Sequence, residues 1–523
     1  MADWEQIARE HRKEQKEKIP SAWLLDNDKL DQLRGAGTTE EGRLIGLQAA
    51  KNSGILDSRE IDITENYTAR ELVRYLRLGA LSAEKVATAY CKRAAVAQQL
   101  TFYLTEIFFE DGIERARWLD QQLRETGKVL VPLHGLPISL KDSFHVDGHS
   151  ATVGYVEFVK QAPPKGNAAL VKLLLDAGAV LYCKTNIPQT MMTCDSENNI
   201  FGRTLNPHNT KLTAGGSSGG EGALVAFRGS PLGIGSDLAG SARIPAFCCG
   251  LYGFKVTVDR VPFSGQSLSP WPINWMSTVM LALGPLATSA DDLSLFMEEV
   301  VTRLNPWKHD GTAINLSWRS LDEPRSKPLT IGILPEDPEY TLHPPVRRSL
   351  AEAASALEKA GHKVVHLAPE AKRNAALGAR ISYQYFSISA PAVADFGEPF
   401  VASAAKGMHP FSTGDFPQQH DLDIVLAPGA LCTAVPHDTF GLPVYTVMWS
   451  LIDYPAAVIP FGTASATRDS EPQKAIAEFV PDYIPEATDG APCAVQVIAP
   501  RFRDEECLEA VGIIDKILNA RHQ

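Results

Sequence analysis

Residues 3–18 place charged side chains around a narrow apolar stripe of Trp4, Ile7 and Ala8, with Asp3 in a capping position, and predict a solvated helix. A polar, glycine-bearing stretch follows to about residue 60, so residues 1–60 read as an N-terminal helical appendage on a main body spanning 61–523. Thr68-Ala69-Arg70-Glu71 forms a capping box that opens one helix, and Ser82 caps the next, which runs through Tyr90 to Gln99. Helices dominate to about residue 126. Beyond that point short apolar runs alternate with helical segments. Strands are expected at Val129–Leu133, Pro137–Leu140, Ala179–Cys183, Leu232–Ile234, Leu329–Leu334, Val364–Leu367, Ile424–Ala427, Ala456–Phe461 and Ala494–Ile498. Helices are expected at Ala168–Ala177, after Gly219, around Val346–Ala360 and from Asp504 to Leu518. This alternation predicts an α/β sheet protein. No repeat or linker divides the chain, and residues 395–422, rich in Gly, Pro, Ser and His, predict a long surface connection.

Composition narrows the function classes. The 523 residues are 44% hydrophobic and 21% charged, which suits a large buried core. The formal net charge of -12 offers no field for phosphate backbones or anionic lipid, so nucleic acid is disfavoured as a ligand. The 8 cysteines show no metal-ligand spacing, and the adjacent Cys248 and Cys249 read as core residues. The N-terminal residues lack the apolar run of a secretory signal, and no segment approaches about 18 apolar residues. The expected location is cytoplasmic and reducing, without a membrane span.

Chemistry concentrates in two glycine- and serine-rich turns, Thr213–Ala223 and Gly233–Arg243, and in a lysine that ends the run L-P-I-S-L-K. A serine hydroxyl needs a base, and acyl transfer needs donors aimed at the oxyanion. Around Ser241, Gly240 and the small Ala239 permit a tight turn whose N–H groups from Leu238 to Ser241 converge, with Asp237 and Arg243 placed to brace it. The turn at Gly215–Gly220 also satisfies G-x-S-x-G, but the residues before it make a poor strand for a nucleophile elbow. The histidines stand in no informative context and read as solvated or satisfied. Lys141 by itself reads as a snorkelling strand-end residue or as a base neutralised by burial. A neutral lysine accepting a proton through a bridging hydroxyl gives a reason for a serine pair without histidine.

The segments H-G-L-P-I-S-L-K-D, T-N-I-P-Q-T, G-G-S-S-G-G-E-G-A and G-S-D-L-A-G-S-A-R-I-P-A, in this order over about residues 134–255, resemble the amidase signature family. N-N-I-F-G-R-T-L-N-P and G-A-P-C-A-V-Q-V-I extend the likeness to the fungal general amidases, or acetamidases, over nearly the whole chain. The resemblance implies an α/β/α fold with a twisted mixed β-sheet covered by helices on both faces. It implies Ser241 as acylated nucleophile, Ser217 as bridging serine on a cis peptide, and Lys141 as ultimate base. It further implies an oxyanion hole from the N–H groups of Leu238, Ala239, Gly240 and Ser241, loop support by Ser218, and Met191 near the acyl group of the substrate. The expected partner is a small or medium carboxamide, with no metal or cofactor, and a homodimer is left open.

Two departures from the family stand out. Ala239 replaces the usual glycine of the oxyanion turn, keeping the N–H while adding a methyl group, and the turn is expected to tolerate it. The segment from about Asp395 to Asp421 is much shorter than in the fungal amidases, where helices cover part of the substrate entrance. That leaves an opened channel, an altered substrate or a damaged fold as alternatives. Three other readings accompany amide hydrolysis: an esterase or acyltransferase using the same nucleophile, an inactive binding or scaffold relative, and the glutamine-hydrolysing subunit of a tRNA amidotransferase.

Overall fold

The computed structural model describes residues 3–37, 46–127, 129, 131–267, 279–319, 321, 325, 327–388, 397–399, 401, 422–477 and 479–520. Thirteen strands are present among them: β1 (Leu104–Ile107), β2 (Pro137–Lys141), β3 (Val180–Thr185), β4 (Glu197–Asn198), β5 (Gly202–Arg203), β6 (Leu232–Asp237), β7 (Tyr252–Lys255), β8 (Ala282–Ala287), β9 (Thr330–Ile333), β10 (Lys363–His366), β11 (Ile424–Pro428), β12 (Ala456–Thr463) and β13 (Pro492–Ile498). All but β4 and β5 join one 11-stranded sheet in the order β1-β3-β2-β6-β8-β7-β12-β13-β11-β9-β10. The sheet is mixed: β3, β2 and β6 run parallel, as do β11, β9 and β10, while β6 through β13 pair antiparallel. Helices flank it, and one large hydrophobic cluster extends from Ile19 to Ile514. The α/β architecture is therefore the one expected from the alternation of elements.

Local signals placed several elements closely. Thr68 accepts from Glu71 N while the Glu71 side chain answers to Thr68 N, and Ser82 caps the helix Ala83–Thr101. The last helix spans Asp504–Leu518. The described residues of the apolar run 129–133 form no strand. Pro132 has no N–H for a ladder, and residues 131–135 turn instead, with Leu133 N donating to Ala177 O and Gly135 N to Gly178 O, both at 2.8 Å. Conversely, β1, β7 and β8 broke the expected pattern. β1 carries Glu106, 2% exposed, which the sheet accommodates because Gln15 and Lys18 from the N-terminal region donate to it. β7 contains Gly253, and β8 contains Gly284 and Pro285, residues that weaken a strand in isolation.

The first helix, Asp3–Glu17, buries Ala8, His11 and Gln15, and its apolar side joins Val156, Ile200 and Phe201. Ile19, Leu33, Ala49, Ala50 and Leu56, within the 1–60 segment, belong to the large cluster. Most of the shortened segment 395–422 lies outside the described residues.

Candidate active site

β2 and β6 are parallel neighbours, with Ser139 opposite Gly233 and Leu140 opposite Ile234, so both strands end at the same edge. The carboxyl ends of adjacent parallel strands are where open α/β sheets form ligand crevices. The run P-I-S-L-K is buried at every position and delivers Lys141, fully shielded from solvent, to that edge. There Lys141 Nζ donates to Ser217 Oγ at 2.7 Å and to Ser236 Oγ at 2.7 Å. Burial drives the lysine from its ordinary value of 10.5 down to about 7, with Asp237, Glu221 and Asp142 restoring part of its proton affinity. An amine of this affinity is substantially neutral near neutral pH.

Ser217 stands on the turn that leads into the helix Gly219–Ala226, and the Gly216–Ser217 peptide bond is cis. Ser196 holds this turn from below: its hydroxyl donates to Gly215 O at 3.0 Å and accepts from Gly219 N at 3.1 Å. Ser218 N donates to Ser241 O at 3.0 Å, tying the two serine turns together, and Ser218 Oγ accepts from Ser236 N at 3.3 Å. Ser217 is buried, whereas Ser241 remains partly exposed, so the second turn presents the accessible hydroxyl.

The Ser241 turn is built around a buried ion pair. Arg243 meets Asp237 through two N–H groups, Nε to Oδ2 and Nη2 to Oδ1, each at 2.9 Å. Gln496 and Ser450 take further guanidinium donors at 2.7 Å and 2.9 Å. Asp237 also accepts backbone N–H groups from Gly240 at 2.7 Å and from Ala242 and Arg243 at 3.2 Å. Burial alone would raise this carboxyl, but the guanidinium and the backbone donors outweigh it and hold Asp237 below the usual carboxylate range. The carboxylate thus shapes the turn from inside. Gly240 takes φ of 127°, a conformation suited to glycine, and a methyl group there would meet Thr446 Oγ1 at 2.4 Å. Ala239 is not among the residues of positive φ, so its methyl group meets no left-handed backbone strain. Its carbonyl accepts from Thr446 Oγ1 at 2.6 Å.

The structure thus brings Lys141 to Ser217, Ser218 to Ser241, and Asp237 to Arg243. Of the four N–H groups expected at the oxyanion, that of Gly240 is engaged by Asp237. Met191 packs against Val153, Tyr155 and Ile187, and the wall of a neighbouring cavity begins one residue later at Met192. This cavity, of about 440 Å³, continues along Cys194, Tyr383, Phe440, Leu442, Pro443 and Phe479. Its volume lies within the range of small-molecule pockets, about 300–1,000 Å³. Sequence reasoning missed Ser236, Glu221 and Thr446. Glu221 had a signal, being the single charge in G-G-S-S-G-G-E-G-A-L-V-A, whereas Thr446 lies far along the chain from either turn in the unmarked run V-Y-T-V.

The described residues contain no His, Cys, Asp and Glu group suited to a metal ion, and no helix among them is long and apolar enough to cross a membrane. The described cysteines are free thiols, and Cys248 and Cys249 are buried. His437, set toward Asp195 at 3.3 Å and Thr210 O at 3.1 Å, is held by structural partners.

The family model described as Amidase matches residues 85–396 and 411–508. An amidase of Gibberella moniliformis is 39% identical, covering 99% of both chains, and an acetamidase of Aspergillus oryzae is 34% identical, also over 99% of both. Among solved structures, a fatty acid amide hydrolase superposes with a TM-score of 0.88 at 28% identity, covering 99% of this chain and 95% of its own. With a family match over most of its length, full-length relatives above 30% identity and a shared architecture, the chain belongs to the amidase family, whose chemistry is hydrolysis of amide C–N bonds.

Proposed function

We propose that this protein hydrolyses a small or medium carboxamide through a serine acyl-enzyme, with Ser241 as nucleophile, Ser217 as proton bridge and Lys141 as base. The observation that carries the reading is the buried lysine, held near 7 and in 2.7 Å contact with the Ser217 hydroxyl. When Lys141 is neutral, that contact runs in the productive sense, with Ser217 donating to Nζ and its oxygen left to take up the Ser241 proton. The Ser241 O–H bond breaks as its oxygen attacks the amide carbon; one proton passes to Ser217 and that of Ser217 passes to Lys141. Collapse of the tetrahedral intermediate returns a proton along the same relay to the departing nitrogen, releasing ammonia or an amine. Water, activated by the again neutral lysine, hydrolyses the ester and regenerates Ser241.

The N–H groups of Leu238, Ala239 and Ser241 are the proposed oxyanion donors. Preorganised donors of this kind contribute about 3–4 kcal/mol each to transition-state stabilisation. Thr446 and the Asp237–Arg243 pair hold their backbone in place before substrate arrives. The cavity beside Met192 shares the segment Pro443–Thr446 with the turn, since Pro443 lines it and Thr446 N bonds Pro443 O at 3.1 Å. It accommodates a group larger than an acetyl.

Treatment with a fluorophosphonate probe followed by peptide mapping tests the assignment. Labelling at Ser241, lost in Ser241→Ala and strongly slowed in Lys141→Ala, is the expected result. Labelling that persists unchanged in folded Lys141→Ala would exclude Lys141 as base.

A further inference from the structure

The helix Gly219–Ala226 carries a carboxylate whose surroundings set it apart from the other acids near Lys141. Glu221 is fully buried, and its two oxygens accept from hydroxyls on two different strands: Oε2 from Ser139 on β2 at 2.6 Å, and Oε1 from Thr185 on β3 at 2.7 Å. Ser139 lies two residues before Lys141 on the same strand, hence on the same face of the sheet. On β6, Gly233 leaves room for this side chain, because a methyl group there would fall 2.0 Å from Glu221 Oε2. Three parallel strands and the helix behind the serine turn therefore converge on one acidic group.

Two other carboxylates, Asp237 and Asp142, also act on Lys141, and each faces a second cation, Arg243 and Lys184 respectively. Asp237 is neutralised by the Arg243 guanidinium and three backbone N–H groups. Asp142 accepts from Val153 N at 2.8 Å and Thr152 Oγ1 at 3.3 Å, and acts on the buried Lys184. Glu221 has hydroxyl donors, and the cation acting on it is Lys141. Tyr182 and Cys183 of β3 also feel its charge, and burial keeps both protonated. Its own carboxyl is raised by burial to about 7, a proton affinity comparable to that of the lysine. Proton uptake by Lys141 creates an ammonium in a dry site, where an unmatched carboxylate nearby is strongly favourable.

We propose that Glu221 is a positioning residue of this site: its carboxylate clamps the helix behind Ser217 onto the strand bearing Lys141, and supplies the counter-charge for the ammonium formed when Lys141 takes up the serine proton. The inference rests on the proposed role of Lys141 as base. In that step the O–H bond of Ser217 breaks, an N–H bond forms at Lys141, and the proton later leaves to the amine product. Glu221 neither gains nor loses a bond. It lowers the cost of the charged intermediate through the lysine it faces.

The test compares pH profiles of kcat/KM for wild type, Glu221→Gln, Glu221→Asp and Thr185→Val, with a simple carboxamide as substrate. Glu221→Gln removes the charge at nearly constant size, so Lys141 loses proton affinity. Its acid limb is expected to move down by about one pH unit while the plateau falls. Glu221→Asp keeps the charge while shortening the clamp, and is expected to lower the plateau with the acid limb close to wild type. A purely structural clamp would leave the limb in place in both variants, which would overturn the proposal. Should Glu221→Gln fail to fold, Thr185→Val strips one hydroxyl from the carboxylate and is expected to move the limb in the same direction by less; an unmoved limb there also refutes it. Lys141→Ala separates this failure from that of the wider reading. Loss of turnover in it with an unmoved Glu221→Gln limb rejects the role of Glu221 alone, whereas turnover near wild type removes the basis of both.

Discussion

Lys141→Met probes stability and catalysis through the same burial. Folding moves the amine from 10.5 to about 7, chiefly by desolvation, with Asp237, Glu221 and Asp142 opposing part of the shift. A lysine depressed in this way binds fewer protons in the folded chain than in the unfolded one between those two values. Stability therefore falls as pH drops through that window and levels off below about 7. At about 1.36 kcal/mol per unit, the cost is about 4 kcal/mol near pH 7 and about 1.4 kcal/mol near pH 9.5. Methionine carries no such charge but leaves the Ser217 and Ser236 hydroxyls without the amine, a loss of about 1 kcal/mol each. The variant should be more stable than wild type by about 2 kcal/mol near pH 7 and about equal or slightly less stable near pH 9.5. Urea unfolding at the two pH values measures the difference, about 3 kcal/mol, in which the serine contribution cancels. In the same protein, kcat/KM should fall by about 10²–10⁴. A stability difference independent of pH, or a variant that turns over like wild type, would refute the argument from burial.

Further outcomes follow from the site. Wild-type kcat/KM should fall about tenfold per unit of acidification once pH is below the lysine's value, a slope read directly from a pH–rate profile. Asp237→Asn leaves the Arg243 guanidinium buried without its carboxylate and should destabilise the fold by about 3–5 kcal/mol, measured by chemical unfolding, with loss of fluorophosphonate labelling at Ser241. Thr446→Val removes the hydroxyl held at 2.6 Å on Ala239 O and should lower kcat about tenfold or more, while thermal unfolding changes by about 1 kcal/mol. Prolonged dialysis against a chelator should leave turnover unchanged, because the proposed relay uses only serine and lysine groups.

The residues proposed to carry the chemistry stood out in the sequence because their constraint is local. The turn Gly215–Gly220 and the turn Asp237–Arg243 need glycines and small residues at fixed offsets, and such offsets are visible in one dimension. The bracing of Asp237 by Arg243 spans six residues and was legible for the same reason. The capping box at Thr68–Glu71 and the long helices at Ala83–Thr101 and Asp504–Leu518 were equally plain. β1, β7 and β8 were not, since a buried glutamate, glycines and a proline contradict strand propensity until neighbouring strands and the N-terminal helix satisfy or cover them. The sequence by itself determined which hydroxyls and which amine are candidates. The tertiary structure decided what they are worth: parallel pairing of β2 with β6 brings Lys141 beside Ser236 and sets it against Ser217, 76 residues away. It also placed Glu221, an acid without remark in a glycine-rich run until three strands close around it, and the proton affinity of such a buried group depends on the water removed and the charges left facing it.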